Sequence, residues 1–320
     1  MAESLRIGTR GSGLALAQTG WVAERLRALG HDVSIETIST RGDERGDVPL
    51  HTLGGDGVFI RELERSLHDG RIDLAVHSLK DLPTAASPGL EIGCVPVRAC
   101  PFDAFVGRAG ETLASLPAGA IVGTSSIRRV VQVRAIRPDL DVRPIRGNVD
   151  TRLRKLDAGE YRCLVLAAAG LERLGLGQRI TGLLEPPGFW PAVGQGALAL
   201  QIRAADAVVK AAVAPLDDAA SRAAVEAERA CLAELSAGCL APVGSWGRMD
   251  DDGRLVLAAR VLEERDGQVR HVTAEEAVSL GQAGRPAGAD LTAALGRRVA
   301  ESLLESGAGP MLERMRQPFA

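Results

Sequence analysis

The sequence predicts an α/β protein with two similar domains and a hinged cleft, followed by a small α+β domain with a three-stranded antiparallel sheet. Three observations predict it. Short apolar runs alternate with helical stretches over the first two thirds of the chain, as a sheet covered by helices requires. The order of elements occurs twice. Ile7-Gly8-Thr9-Arg10-Gly11-Ser12 is echoed by Val122-Gly123-Thr124-Ser125-Ser126, and Asp69-Gly70-Arg71-Ile72-Asp73-Leu74-Ala75-Val76 by Ala158-Gly159-Glu160-Tyr161-Arg162-Cys163-Leu164-Val165. The last third then changes to one long alanine-rich helix and three strand-like runs separated by Asp-Gly turns.

In chain order, residues 5–8 read as a strand, 9–13 as a tight turn, and 14–29 as an amphipathic helix stopped at Gly30. Residues 33–38 are the next strand. A charged loop and the glycine-rich Gly54-Gly55-Asp56-Gly57 lead to a helix over 58–68. The apolar run Ile72 to Val76 reads as a buried strand that turns polar at His77, and Pro83 ends regular structure. In the second half, strands are expected at 121–123, 141–145 and 161–167, with helices at 127–136 and 149–157. The chain is expected to return to the first domain near Leu198 to Ile202, after Val193-Gly194-Gln195-Gly196. The last third reads as a helix over 221–235, strands at 243–248, 255–262 and 269–277, and a helix over 291–304. The expected domains are 1–98 with 198–216, then 99–197, then 217–320.

Composition narrows the function classes. The chain has 320 residues, 46% of them hydrophobic and 25% charged, with a net charge of −3. That balance fits a soluble protein and gives no reason to expect nucleic acid or a membrane as partner. No apolar segment precedes the first strand and no run approaches a membrane span, so a cytoplasmic location is expected. The five cysteines are scattered without a zinc spacing, as in a reducing compartment.

Chemistry concentrates at strand ends, where open α/β sheets bind ligands. His77, Ser78, Lys80 and Asp81 follow one strand. Lys80 is one of only three lysines, with Lys155 and Lys210. His77 reads either as a general base or as a hydrogen-bonded structural residue. Arg10 and Ser12 follow the first strand, Thr124, Ser126, Arg128 and Arg129 the equivalent strand of the second half, and Arg146 and Arg152 flank Gly147-Asn148. Arginines at first helical turns favour anions through free backbone N–H groups and bidentate binding of carboxylate or phosphate. A ligand with several negative groups is therefore expected. Arg134, Arg137, Arg143 and Arg154 read as a solvated face. Cys239, between Gly238 and Pro242, reads as an accessible loop thiol: a nucleophile, an attachment point, or neither. Cys94, Cys163 and Cys231 lie in apolar or helical runs and read as packing residues.

Taken together, His77-Ser78-Leu79-Lys80-Asp81-Leu82-Pro83, Gly123-Thr124-Ser125-Ser126-Ile127-Arg128-Arg129, Arg146-Gly147-Asn148-Val149-Asp150-Thr151-Arg152, Pro191-Ala192-Val193-Gly194-Gln195-Gly196 and Gly238-Cys239 closely resemble the porphobilinogen deaminase (hydroxymethylbilane synthase) family over nearly the whole chain. The resemblance implies three domains, the first two like type II periplasmic binding proteins. It implies a transferase that joins four porphobilinogen molecules head to tail with loss of ammonia. The product, 1-hydroxymethylbilane, would pass to uroporphyrinogen-III synthase in haem biosynthesis. It implies a dipyrromethane cofactor in thioether linkage to Cys239, Asp81 as the catalytic carboxylate, and a monomer. Arg10, Ser12, Ser78, Lys80, Thr124, Ser126, Arg128, Arg129, Arg146 and Arg152 would bind cofactor and substrate. Asp56 departs from the lysine usual in the family, and Ala237, Ala241 and Cys231 are milder departures. Two other classes fit less well. A receptor for anions without chemistry would not need Cys239 or the last domain, and a nucleotide-dependent enzyme would need a phosphate-binding fingerprint that Gly8, Gly11 and Gly13 do not form.

Overall fold

Strand β1 (Leu5–Thr9) buries Leu5 and Ile7 on one face, where helix α1 (Gly13–Ala28) lays Val22, Ala23 and Leu26 across them. Ser12 starts α1 by accepting the Ala15 amide at 3.3 Å, and the chain leaves it at Gly30, whose φ of +90° suits glycine. This is a computed structural model, and it describes residues 4–38, 58–236, 241–280 and 287–316. Strands β2 (Val33–Thr37) and β3 (Leu74–Ser78) flank β1 in parallel, with helix α2 (Val58–His68) between them in sequence. Residues of β3 alternate: Leu74 and Val76 join the α1 side, and Ala75 joins Leu63, Leu67 and Ile72 on the α2 side. Because both faces are apolar, the run looks unbroken in sequence.

The second half repeats this with strand β4 (Leu90–Cys94) already placed in the first sheet. Strand β5 (Asp103–Val106), β6 (Ile121–Gly123), β7 (Asp141–Arg143), β8 (Cys163–Ala167) and β9 (Gly182–Leu184) form a second five-stranded sheet. Helices α3 (Ile127–Ile136), α4 (Val149–Asp157) and α5 (Ala168–Arg173) belong to this half. Strand β10 (Leu198–Arg203) then joins the first sheet, antiparallel to β3 and β4, followed by helix α6 (Ala207–Val213). The two sheets run β2-β1-β3-β10-β4 and β7-β6-β8-β5-β9, so the same order is reached with β10 late in the chain and β5 early. The repeated glycine explains the sequence echo. A Cβ on Gly8 would stand 2.2 Å from Ile72 Cδ1, and one on Gly123 would stand 2.5 Å from Leu164 Cδ2.

The last third packs helix α7 (Ala219–Glu234) and helix α8 (Ala287–Leu303) over strands β11 (Val243–Met249), β12 (Arg254–Arg265) and β13 (Gln268–Ser279), and ends in helix α9 (Gly309–Arg316). Leu255, Leu257, Ala259 and Val261 alternate along β12 into this core, with Ala227, Cys231, Leu295 and Val299 opposite. By compactness the chain divides into residues 1–99 with 196–222, and residues 100–195 with 223–320.

Two sequence expectations change. The strand that leads to Lys80 and Asp81 spans Leu74–Ser78 rather than Ile72 to Val76, because antiparallel pairing with β10 carries His77 and Ser78 into the sheet opposite Ala199 and Leu198. Strands β4, β5 and β9 and helices α5, α6 and α9 have no counterpart among the elements expected from sequence.

Helices α7 and α8 approach closely at Gly296, where a Cβ would lie 2.4 Å from the Ala227 carbonyl oxygen and 2.8 Å from the Cys231 nitrogen. Both are backbone atoms and cannot rotate away. Gly296→Ala is expected to lower unfolding stability by about 1–3 kcal/mol despite its better helix propensity. Urea denaturation checks this; an unchanged or raised midpoint would contradict the packing.

Candidate functional site

In the first unit, β1 and β3 are parallel neighbours, so Arg10, Ser12 and the residues after Ser78 leave the same edge of the sheet. Leu79–Asp81 form a single helical turn, started by a bond from the Leu79 amide to the Ala197 carbonyl at 3.0 Å. Leu79 and Leu82 are buried and anchor the turn, while Asp81 between them is exposed. Among the described residues no hydrogen bond or ion pair ties down its carboxylate. Ser78 exchanges hydrogen bonds with the Gln18 amide at 3.0 and 3.3 Å. Ser12 spends its acceptor on the helix cap and keeps its hydroxyl proton to donate.

His77 points to the opposite side of the strand. It is buried, with Nε2 3.1 Å from Gln201 Oε1, and Gln201 donates in turn to Glu64 at 2.9 Å. Burial, aided by the nearby Arg10 guanidinium, pushes its pKa down to about 4 against the opposing pull of Gln201 and Glu64. It is a neutral, hydrogen-bonded structural residue near neutral pH, and of the two readings of His77 the structural one holds.

In the second unit, Thr124 follows β6 and is buried, and its hydroxyl accepts weakly from the Ser126 amide at 3.4 Å. Ser126 stands at the start of α3 without capping it, which leaves its hydroxyl uncommitted to the helix. Arg128 and Arg129 come next, and both are buried. Arg128 Nη1 donates to Asp103 Oδ2 at 2.8 Å and to the Trp190 carbonyl. Arg129 Nε donates to Asp103 Oδ1 at 2.9 Å, and its Nη2 reaches Gln195 Oε1 at 3.4 Å. Burial works against ionising Asp103, yet the two guanidinia outweigh it and hold its carboxyl at about 2. Asp103 satisfies part of each guanidinium, leaving further N–H donors.

Arg152, on α4, donates Nε to the Gly147 carbonyl at 2.8 Å. Gly147 has a φ of +103°, and a Cβ there would meet Thr151 at 2.7 Å, so the turn that aims Arg152 needs glycine. Burial lowers the Arg152 pKa, and repulsion from Arg129 lowers it further. Two like charges are thus brought together in a partly desolvated place, which favours an anion in their company. Arg146 is exposed on the adjoining loop. Cys239 and Asp56 lie outside the described residues.

The sequence expectations give no role to Asp103 or Arg173, and name Gln195 only within Pro191-Ala192-Val193-Gly194-Gln195-Gly196. Arg173 ends α5, and burial pushes its guanidinium down to about 10. The internal repeat holds the signal: α5 follows β8 as the Leu79–Asp81 turn follows β3. The four described cysteines are free; burial pushes the thiols of Cys94, Cys163 and Cys231 up to about 12, and raises that of Cys100. Among the described residues no group of three His, Cys, Asp or Glu could hold a metal, and no helix is long and apolar enough to cross a membrane.

Residues 5–211 match the family model described as porphobilinogen deaminase, dipyromethane cofactor binding domain, and residues 222–305 match its C-terminal domain. The chain belongs to the porphobilinogen deaminase family. It is 48% identical to the porphobilinogen deaminase of Roseiflexus castenholzii, over 98% of this chain and 99% of that one. It is 51% identical to that of Desulforudis audaxviator, over 99% of both. Among solved structures it is similar to a periplasmic substrate-binding protein of an ABC transporter from Coxiella burnetii, with 16% identity and a TM-score of 0.41, over 66% of this chain and 91% of that one. The activity is that of a hydroxymethylbilane synthase: four porphobilinogen molecules are joined head to tail with loss of ammonia, and 1-hydroxymethylbilane is released for tetrapyrrole biosynthesis. Its cofactor is dipyrromethane.

The His77 environment gives a pH signature. An unfolded histidine titrates near 6.5 and the folded one near 4, so between these values the unfolded chain binds more protons. The stability due to neutral burial is complete above pH 6.5 and is lost as pH falls through 4, by about 3 kcal/mol in all. Urea midpoints across that window should fall steeply for the natural chain and less steeply for His77→Gln; parallel curves would contradict the assignment.

Proposed function

We propose that Asp81 is the catalytic carboxylate of this synthase, that Cys239 carries the dipyrromethane in thioether linkage, and that the strand-end cations and hydroxyls bind the acidic side chains of cofactor and substrate. The observation that carries the reading is the exposed, untethered carboxylate of Asp81 on a turn anchored by two buried leucines. A carboxylate engaged in an ion pair would already be satisfied; this one is available to a ligand.

Each porphobilinogen bears an acetate and a propionate. The mutual repulsion of Arg129 and Arg152, with Arg152 partly desolvated, fits a partner with several carboxylates, and a dipyrromethane is such a partner. Arg146 and Arg152 would receive carboxylates directly, and Arg128 and Arg129, oriented by Asp103, would supply field and their remaining donors. Thr124 and Ser126 in the second unit, and Arg10, Ser12, Ser78 and Lys80 in the first, would add hydrogen bonds and charge. When bound, the dipyrromethane supplies the pyrrole end to which the first substrate is joined.

The substrate's carbon–nitrogen bond breaks with its electron pair leaving on ammonia, so positive charge spreads over the substrate pyrrole. Asp81 stabilises that charge. As the new carbon–carbon bond forms, the attacked ring carbon releases a proton, and Asp81 is suited to take it. Lys80, its neighbour, would hold a carboxylate of the reacting pyrrole rather than move protons. The reading extends to a monomeric, cytoplasmic enzyme of three domains that hands its product to uroporphyrinogen-III synthase. The chemistry of an unstable linear tetrapyrrole with a reactive hydroxymethyl group supports a consuming ring-closing enzyme.

Asp81→Asn is expected to keep its cofactor mass and lose turnover by about 10²–10⁴-fold. A near-normal rate would overturn the catalytic role. Cys239→Ser is expected to show the intact mass of the bare chain, whereas the natural holoenzyme shows the added mass of the cofactor; equal masses for the two would remove the attachment.

A further inference from the structure

Glu228 lies on α7 and is completely buried. Its two carboxylate oxygens are used separately. Oε2 accepts the Gly194 amide at 2.6 Å, and Oε1 accepts the Gly247 amide of β11 at 2.7 Å. Both bonds are short, as charge-assisted bonds are. Only a carboxylate can serve both amides in this way, because a carboxamide offers one oxygen and would turn an N–H group towards the other.

The residue after Gly194 gives the bond a purpose. Gly194 has a φ of +70°, so the chain turns sharply there and presents Gln195 inwards. Gln195 is wholly buried. Its Nε2 donates to the Pro101 carbonyl at 2.8 Å and to Asp103 Oδ1 at 3.1 Å, and its Oε1 accepts from Arg129 Nη2 at 3.4 Å. Gln195 therefore sits against the carboxylate that orients Arg128 and Arg129, and Arg129 is the group whose charge Arg152 feels.

We propose that Glu228 is a positioning residue for substrate binding: by gripping the Gly194 amide it sets Gln195, and through Gln195 it sets the direction of the Arg129 guanidinium. Glu228 acts through these residues and not on the substrate itself. It fixes the geometry of Arg129 from the helix that leads, in sequence, to Cys239. The inference rests on the reading that Arg129 and Arg152 bind substrate carboxylates.

The test uses purified holoenzyme, with active concentration set by the fraction that carries the cofactor mass, and porphobilinogen as the varied substrate. Glu228→Gln is expected to raise KM about tenfold, the scale of one lost charge-assisted bond, with kcat within about twofold. Gln195→Ala is expected to do the same. The double variant should be no worse than the more affected single, since both act on one path. An unchanged KM in Glu228→Gln, additive effects in the double variant, or losses confined to kcat would overturn the proposal. If Glu228→Gln does not fold, Gln195→Ala decides alone, and an unchanged KM in it overturns the proposal. Arg152→Gln separates the two levels. If it leaves KM unchanged, the arginine reading itself fails; if it raises KM while Glu228→Gln and Gln195→Ala do not, only the positioning role fails.

Discussion

The second unit depends on one buried carboxylate holding two guanidinium groups. Asp103 begins β5, and Arg128 and Arg129 begin α3, so the ion pairs join a strand start to a helix start across the sheet. Without Asp103, two buried cations would face each other with only carbonyl oxygens for company, a placement that burial strongly disfavours. With it, the pair becomes a rigid positive feature at the edge where β6 and β8 end. The same carboxylate accepts from Gln195, so the segment that returns the chain to the first sheet is tied to the same point.

Around this feature the fold uses one plan twice. Parallel strands end side by side, and each is followed by a short polar turn. In the first unit the turn after β3 carries Asp81 between buried Leu79 and Leu82; in the second, the turn after β6 carries Thr124 and Ser126. The strand ends differ because the second unit collects cations while the first exposes the Asp81 carboxylate beside Lys80. A repeated scaffold thus carries unlike strand ends without a change of architecture.

Much of this is legible in the sequence. Helices α3 and α4 have the limits that the sequence predicts, because both begin after a polar turn and carry a clear apolar stripe. The strand-end rule locates Asp81. The partner of Arg128 is not legible, since Asp103 lies 25 residues earlier and nothing local announces a buried ion pair. The end of β3 is misplaced by sequence because His77 looks polar on paper, whereas Gln201, 124 residues away, makes its burial acceptable. Strands β5 and β9, of four and three residues, depend on pairing partners rather than on any pattern of their own. Local propensity and period are readable; distant partners that reverse a residue's apparent preference are not.

The buried sulfurs carry a last consequence. A thiol held near 12 is ionised to roughly one part in a hundred thousand at neutral pH, and carbon electrophiles are captured by thiolate, not thiol. Cys94, Cys163 and Cys231 therefore meet carbon electrophiles almost wholly as the unreactive thiol. The folded interior thus withdraws three of the chain's five cysteine sulfurs from such chemistry through acidity, in addition to shielding them.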